Sequence, residues 1–276
     1  MGQNFLVDDT VLAKIIEAAD IKPADTIVEV GPGLGVLTDE LAKKAGKVIA
    51  IEKDDKLAEL LAEKFQIARN KSQTNSKLEI LNEDALEVNI GEILKQVQDD
   101  KTSYKLVANI PYNITSPIIR KFLEAENKPE LMVLLVQKEV AERITAKPGE
   151  MSLLSVSVQF YAEAEIIDIV KNSSFFPVPK VDSAIIRFRP KASTKGRWAS
   201  GPDQPMAEKI KEKSFFRLVK FGFAARRKTL ENNLSAGLQI TKAQASDIIK
   251  STGLSELTRA QDLAVSDWIK LYKQFG

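Results

Sequence analysis

Apolar residues follow two rhythms along the chain. Short unbroken runs rich in Val and Ile, at 26–30, 47–52, 106–108 and 131–136, read as strands buried on both faces. A further short strand begins at 78 and ends in an acidic corner by 86. Between these runs, apolar positions recur three and four residues apart. Val11, Leu12, Ile15 and Ile16 predict a helix over 9–19, and the same spacing predicts helices over 35–45, 137–144 and 56–65, the last with Leu57, Leu60 and Leu61 inward. Strands alternating with helices predict a doubly wound α/β sheet. Residues 66–76 are polar and read as a loop, while 165–170 and 181–188 read as a closing pair of strands. Segment 153–161 is ambiguous, because Ser155, Ser157 and Gln159 alternate with Val156, Val158 and Phe160 in the rhythm of a strand.

From 190 to 205 the composition turns to Lys, Ser, Thr, Gly and Pro, which marks a linker. Beyond it, 206–220 and 241–251 read as helices, the second opened by a capping box of Thr241 and Gln244. Val265, Trp268, Ile269 and Tyr272 share one helical face and read as core, not as a base-stacking platform. The chain thus divides into an α/β domain, 1–190, and a small helical domain, 191–276.

Charge sharpens that division. Residues 191–276 carry 16 Lys and Arg against 8 Asp and Glu, leaving 24 against 30 for residues 1–190. A net +8 beside a net −6 points to a polyanionic partner for the C-terminal region, whose densest basic cluster is Lys220, Arg226, Arg227 and Lys228. The chain has no Cys and no His. Disulfides, thiolate zinc sites, Cys nucleophiles and His-based triads are therefore excluded, as is ring-carbon methylation through a Cys adduct. Catalysis must rest on positioning, amides, carbonyls and carboxylates. No apolar run approaches the roughly 18 residues of a membrane span, and the N-terminus lacks the pattern of a signal peptide, so the expected location is the cytosol.

Two stretches carry the candidate chemistry. Ile27-Val-Glu-Val-Gly-Pro-Gly-Leu-Gly-Val36 runs a strand into glycines at 31, 33 and 35 and then into a helix. That order brings backbone N–H groups against a ligand's polar edge, where a Cβ would block approach. Glu52 lies 21 positions after Gly31, at the tip of the next strand, suited to ribose hydroxyls. Asp84 would sit at the tip of the third strand, near an adenine ring. Asn109-Ile-Pro-Tyr112 falls at the C-terminal edge of the fourth, where open α/β sheets bind ligands.

Taken together, the glycine turn, Glu52, Asp84 and Asn109-Ile-Pro-Tyr112 resemble the S-adenosylmethionine-dependent methyltransferases that modify exocyclic amino groups. The strings Gly2-Gln-Asn-Phe-Leu6, Val136-Gln-Lys-Glu-Val-Ala-Glu-Arg143, Phe175-Phe-Pro-Val-Pro-Lys-Val-Asp-Ser183 and Arg226-Arg-Lys-Thr-Leu230 narrow the resemblance to the KsgA-type ribosomal RNA adenine dimethyltransferases. An NAD-dependent dehydrogenase would share the turn and the acid but not Asn-Ile-Pro-Tyr.

The resemblance implies a class I, Rossmann-like methyltransferase sheet of seven strands with the last one antiparallel, and a helix at 153–161. It implies S-adenosylmethionine held around Gly31 and Gly33, with Glu52 on the ribose, Asp84 on the adenine amino group, and Asn4, Leu6 and Asn109 also in contact. The Asn109 side-chain oxygen and a carbonyl at Ile110 or Pro111 would accept from the target amino group. Tyr112 would stack on the base and Phe175 would close its other face. No metal and no membrane are implied. The expected partner is small-subunit rRNA within a pre-30S particle, met by a monomer through Lys220, Arg226, Arg227 and Lys228. The nearest rival is the Erm type, which acts on large-subunit rRNA. Asp182 and the Arg226-Arg-Lys string favour the small subunit, and Ile110 leans toward the rival. A third reading is an assembly factor with catalysis secondary. The chain departs from the family at Met151-Ser152, where a Tyr-Gly pair is usual, and in lacking a short basic lead before Gly2, which suggests a trimmed start.

Overall fold

The computed structural model describes residues 4–71, 77–97, 103–191, 193–194, 197–198 and 210–275. The chain divides into two compact units, Met1–Ala141 with Glu163–Pro190, and Glu142–Ala162 with Lys191–Gly276.

The first unit opens with β1 (Phe5–Leu6) and α1 (Asp9–Ala19). Asp8 caps α1 by accepting from Thr10 N and Val11 N. Hydrogen bonds from the Thr10 and Ser174 hydroxyls hold its carboxyl down at about 2, and the Ser174 contact ties the helix entry to a segment 166 residues away. Then β2 (Thr26–Val30), α2 (Val36–Lys44), β3 (Lys47–Ile51), α3 (Asp55–Lys71), β4 (Lys77–Leu81), α4 (Ile90–Val97), β5 (Lys105–Asn109), α5 (Thr115–Glu124), β6 (Leu131–Gln137) and α6 (Lys138–Ile144) alternate, with α4 and α5 lying beyond the helices that the spacing predicts. After α7 (Leu153–Tyr161), the sheet is completed by β7 (Ala162–Val170) and β9 (Ser183–Pro190), separated by the short β8 (Phe175–Phe176).

The seven strands lie in the order β4-β3-β2-β5-β6-β9-β7. β2 to β6 pair in parallel, and β9 runs antiparallel to β6, with Met132 opposite Phe188 and Gln137 opposite Ser183. Strand order reverses between β2 and β5, so the turns leaving those two strands flank the crevice where such sheets take ligands. β2, β3, β5 and β6 are buried nearly throughout, which accounts for their unbroken apolar runs. β1 pairs antiparallel with β8 and sends Leu6 and Phe175 into the core.

Two expectations change in this unit. α3 continues through Lys71, so the first part of the predicted 66–76 loop is helix and 72–76 lie outside the described residues. Its buried positions are Ala58 and Leu61, whereas Leu60 is 49% exposed. At about 100° per residue, Leu60 lies about 200° around the helix from Ala58. Segment 153–161 is the helix that the resemblance implies, despite its strand-like alternation. Ser152 and Ser155 close a capping box at its start, so the Met151-Ser152 departure supplies the cap.

That helix belongs to the second unit, although a boundary at 190 would assign it to the first. It is followed there by a two-residue ladder within the predicted linker, β10 (Ser193–Thr194) with β11 (Arg197–Trp198). Then come α8 (Glu212–Gly222), α9 (Leu230–Leu238), α10 (Lys242–Ser251) and α11 (Val265–Phe275). The predicted 206–220 helix begins later, and 206–209 lie outside the described residues. The Thr241–Gln244 capping box is present. On α11 the buried residues are Trp268 and Leu271, with Val265, Ile269 and Tyr272 half-buried. Phe160 stacks on Phe215 in the same core, and a Cβ on Gly222 would lie 2.2 Å from the Trp268 ring.

Among the described residues no helix is long and apolar enough to cross a membrane, and no cluster of acidic side chains suits a metal ion.

Candidate functional site

A cleft enclosing about 660 Å³ of non-atom space, part of it open to solvent, lies at the switch point in the first unit. Its walls include Asn4, Phe5, Leu6, Gly31, Gly33, Asn109, Ile110, Pro111, Tyr112 and Phe175. The structure thus brings together the predicted Asn4, Leu6, Gly31, Gly33, Asn109, Pro111, Tyr112 and Phe175.

Gly31, Gly33 and Gly35 have φ of 68°, 56° and 75°, so the turn runs through the left-handed region that a Cβ disfavours. Space restricts Gly35 as well. A Cβ on Gly35 would meet Leu61 Cδ1 at 2.4 Å, and one on Gly31 would sit 3.5 Å from Pro111 Cδ. The last distance places the glycine turn directly against Asn109-Ile-Pro-Tyr.

Asn109 ends β5, and its Nδ2 donates to the Asn4 carbonyl at 3.4 Å. Its Oδ1 has no partner among the described residues. The Pro111 carbonyl already accepts from Ile114 N at 3.1 Å, with the Thr115 hydroxyl a longer 3.5 Å away. The Ile110 carbonyl accepts no hydrogen bond among the described residues, although its N–H is tied to the Leu135 carbonyl at 3.3 Å. Of the two backbone carbonyls, Ile110 therefore remains open. The Tyr112 hydroxyl shares a 2.8 Å hydrogen bond with Ser183 Oγ, and Ser183 is fully buried.

Glu52 and Asp84 stand apart from these walls. Glu52 reaches the turn, its Oε2 accepting from Gly33 N at 3.1 Å and its Oε1 from Asp54 N at 3.0 Å. Asp84 accepts from Leu86 N at 2.8 Å and pairs with Lys53 Nζ at 2.7 Å. The Lys53 ammonium and the Leu86 N–H hold its carboxyl below the ordinary carboxylate range. In the second unit, Lys220, Arg226, Arg227 and Lys228 are exposed, on the last turn of α8 and in the turn before α9.

Sequence reasoning missed Glu29. It lines the cleft from inside β2, is fully buried, and its Oε2 has no hydrogen-bond partner among the described residues. Burial pushes its carboxyl up to about 8. The Thr38 hydroxyl, alongside but outside hydrogen-bonding geometry, opposes that rise, and the Glu52 and Asp39 charges add to it. The available signal was an acid set between Val28 and Val30 in an otherwise apolar strand. Ser183 lies 71 residues from Tyr112, and nothing local in the sequence pairs the two.

Known proteins match along the whole chain. A family model described as ribosomal RNA adenine dimethylase covers residues 1–275. Ribosomal RNA small subunit methyltransferase A from Dehalococcoides mccartyi is 45% identical over 276 residues, 100% of this chain and 87% of the relative. The protein of the same name from Pediococcus pentosaceus is 38% identical, over 99% of this chain and 88% of its own. A solved dimethyladenosine transferase from Plasmodium falciparum superposes with a TM-score of 0.76 at 27% identity, over 98% of this chain and 97% of that one. The 23S rRNA methyltransferase ErmE superposes at 0.72 and 28% identity, over 98% and 99%.

Proposed function

The chain belongs to the ribosomal RNA adenine dimethylase family, and on that premise we propose that it dimethylates the N6 amino groups of two adjacent adenosines in the 3′-terminal hairpin of small-subunit rRNA. It acts as a cytoplasmic monomer on a pre-30S particle, with S-adenosylmethionine as donor. The observation that carries the reading is the open acceptor pair, Asn109 Oδ1 and the Ile110 carbonyl, set beside a glycine turn at a sheet switch point.

The turn and its surroundings fit the donor. Its left-handed glycines leave the backbone bare, and Glu29 offers a buried oxygen, unpartnered among the described residues, whose proton a bound cationic group would displace. Gly31, Gly33, Glu52, Asn4 and Leu6 would hold it, with Asp84 reached once Lys53 moves aside. Bound there, S-adenosylmethionine supplies an electrophilic methyl group on a sulfonium.

The protein's part is to turn a poor nucleophile into a good one. The lone pair of an adenine amino nitrogen is delocalised into the ring. Acceptors at Asn109 Oδ1 and the Ile110 carbonyl take hydrogen bonds from the amino hydrogens and localise that pair on nitrogen. Tyr112, tethered to Ser183, presents a fixed ring to one face of a base taken out of its stack, and Phe175 closes the far wall. The proton leaves to water after transfer, so no general base is required and a site without His suffices. The exposed cations of the second unit neutralise rRNA phosphates.

Transfer of labelled methyl from S-adenosylmethionine to unmethylated small-subunit particles tests this reading, with large-subunit RNA as the comparison. Labelling of the small-subunit RNA alone is expected. Labelling of large-subunit RNA alone would assign the Erm-type activity instead.

A further inference from the structure

The β1–β8 ribbon pairs Phe5 with Phe176 and Leu6 with Phe175. Directly opposed residues of an antiparallel pair project to one face and their neighbours to the other. Leu6 and Phe175 enter the core, so Phe5 and Phe176 share the outer face. Phe5 covers the glycine turn, its Cε1 3.1 Å from where a Gly33 Cβ would stand, and it lines the cleft. Phe176, cross-strand from Phe5 and next to Phe175, thus adjoins two residues of the cleft wall. It is 69% exposed and makes no ring contact among the described residues. Further along the same segment Val178 is 62% exposed and Val181 45% exposed, with exposed Lys180 between them in sequence.

We propose that Phe176 is a stacking platform for the nucleobase next to the one that enters the cleft, with Lys180 facing the adjoining phosphate. The proposal rests on the cleft receiving a base. A base drawn out of its stack leaves its neighbour with one bare face. An exposed aromatic ring one backbone step from the cleft replaces that lost stack for any of the four bases. Three features favour an RNA strand over a protein segment as occupant: the segment adjoins the cleft wall, it carries a cation, and its one large side chain is aromatic.

Methyl transfer to unmethylated small-subunit particles is compared for wild type, Phe176→Ala, Phe176→Tyr and Phe176→Leu, with S-adenosylmethionine affinity measured in each. Phe176→Ala is expected to raise KM for particles about tenfold, the worth of one base–aromatic stack, with kcat and donor affinity retained. Phe176→Tyr restores KM and Phe176→Leu does not. A second readout is independent of catalysis. In a short single-stranded RNA with 2-aminopurine beside one adenosine, wild type quenches the fluorescence and Phe176→Ala does not. Wild-type KM in Phe176→Ala, or no quench by wild type, overturns the platform. Full rescue by Leu also overturns it and assigns the surface to an apolar protein contact. Wild type that transfers no methyl to particles counts against the reading of the site, and the quench still decides the platform.

Discussion

Replacing Glu29 by Gln separates the cost of a buried acid from its use. Both folded and unfolded states bind the proton below the ordinary value of 4.5, so the acid costs nothing there. Between 4.5 and about 8 the folded state holds a proton that the unfolded state has released, so wild-type stability falls as pH rises through that window. At about 1.4 kcal/mol for each pH unit, the accumulated penalty is about 3 kcal/mol at pH 7 and about 5 kcal/mol above pH 8. Glu29→Gln keeps the shape and cannot ionise. It is expected to match wild type within about 1 kcal/mol at pH 5, and to exceed it by about 3 kcal/mol at pH 7 and more at pH 9. Both Trp residues lie in the second unit, so fluorescence reports the wrong region. Urea unfolding followed by circular dichroism, with amide exchange read on β2, reports the right one. The same variant should bind S-adenosylmethionine more weakly, trading function for stability. Parallel stability–pH curves for the two proteins would refute the reasoning, since they would mean that Glu29 is not held in a protonated, desolvated state.

Two further outcomes follow from the geometry. Ser183→Ala frees the Tyr112 hydroxyl and should lower kcat about five- to tenfold, the worth of one buried hydrogen bond, while leaving donor affinity intact. Ser183→Thr should recover part of it, and an unchanged kcat in Ser183→Ala would remove the tether from the mechanism. Changing Arg226, Arg227 and Lys228 together to Gln should weaken particle binding and flatten its dependence on salt, by about one in log–log slope for each phosphate no longer neutralised. Titration at several salt concentrations checks this, and an unchanged slope would make the cluster a solvated surface only.

What the sequence disclosed and what it hid have separate physical causes. Buried parallel strands announce themselves because both faces must be apolar, so the runs at 26–30, 47–52 and 131–136 needed no tertiary knowledge. Caps are equally local, and the Thr241–Gln244 box could be read directly. Alternation alone left segment 153–161 ambiguous because its helix is buried on several sides and the alternation describes no single face; the resemblance and the Ser152–Ser155 cap both point to the helix that is present. Leu60 was placed inward because leucine suggests burial, whereas the packed face of α3 is set by Ala58 and Leu61. The site divides along the same line. Gly31, Gly33 and Asn109 were legible because they sit at strand ends, which the fold class alone identifies as ligand positions. The link from Asn4 to Asn109 spans 105 residues, and that from Tyr112 to Ser183 spans 71. No local pattern encodes either. Glu29 was visible as a residue but not as an orphaned oxygen, since that depends on which neighbours fail to reach it.

The central claim is that Asn109 and the Ile110 carbonyl make the cleft a site of methyl transfer to an adenine amino group. Asn109→Ala tests it most directly, in single-turnover transfer to unmethylated small-subunit particles with nucleoside analysis of the product and calorimetry of the donor. N6,N6-dimethyladenosine is expected from wild type and none from the variant, with S-adenosylmethionine affinity largely retained. Dimethyladenosine formed by Asn109→Ala at the wild-type rate would contradict the account.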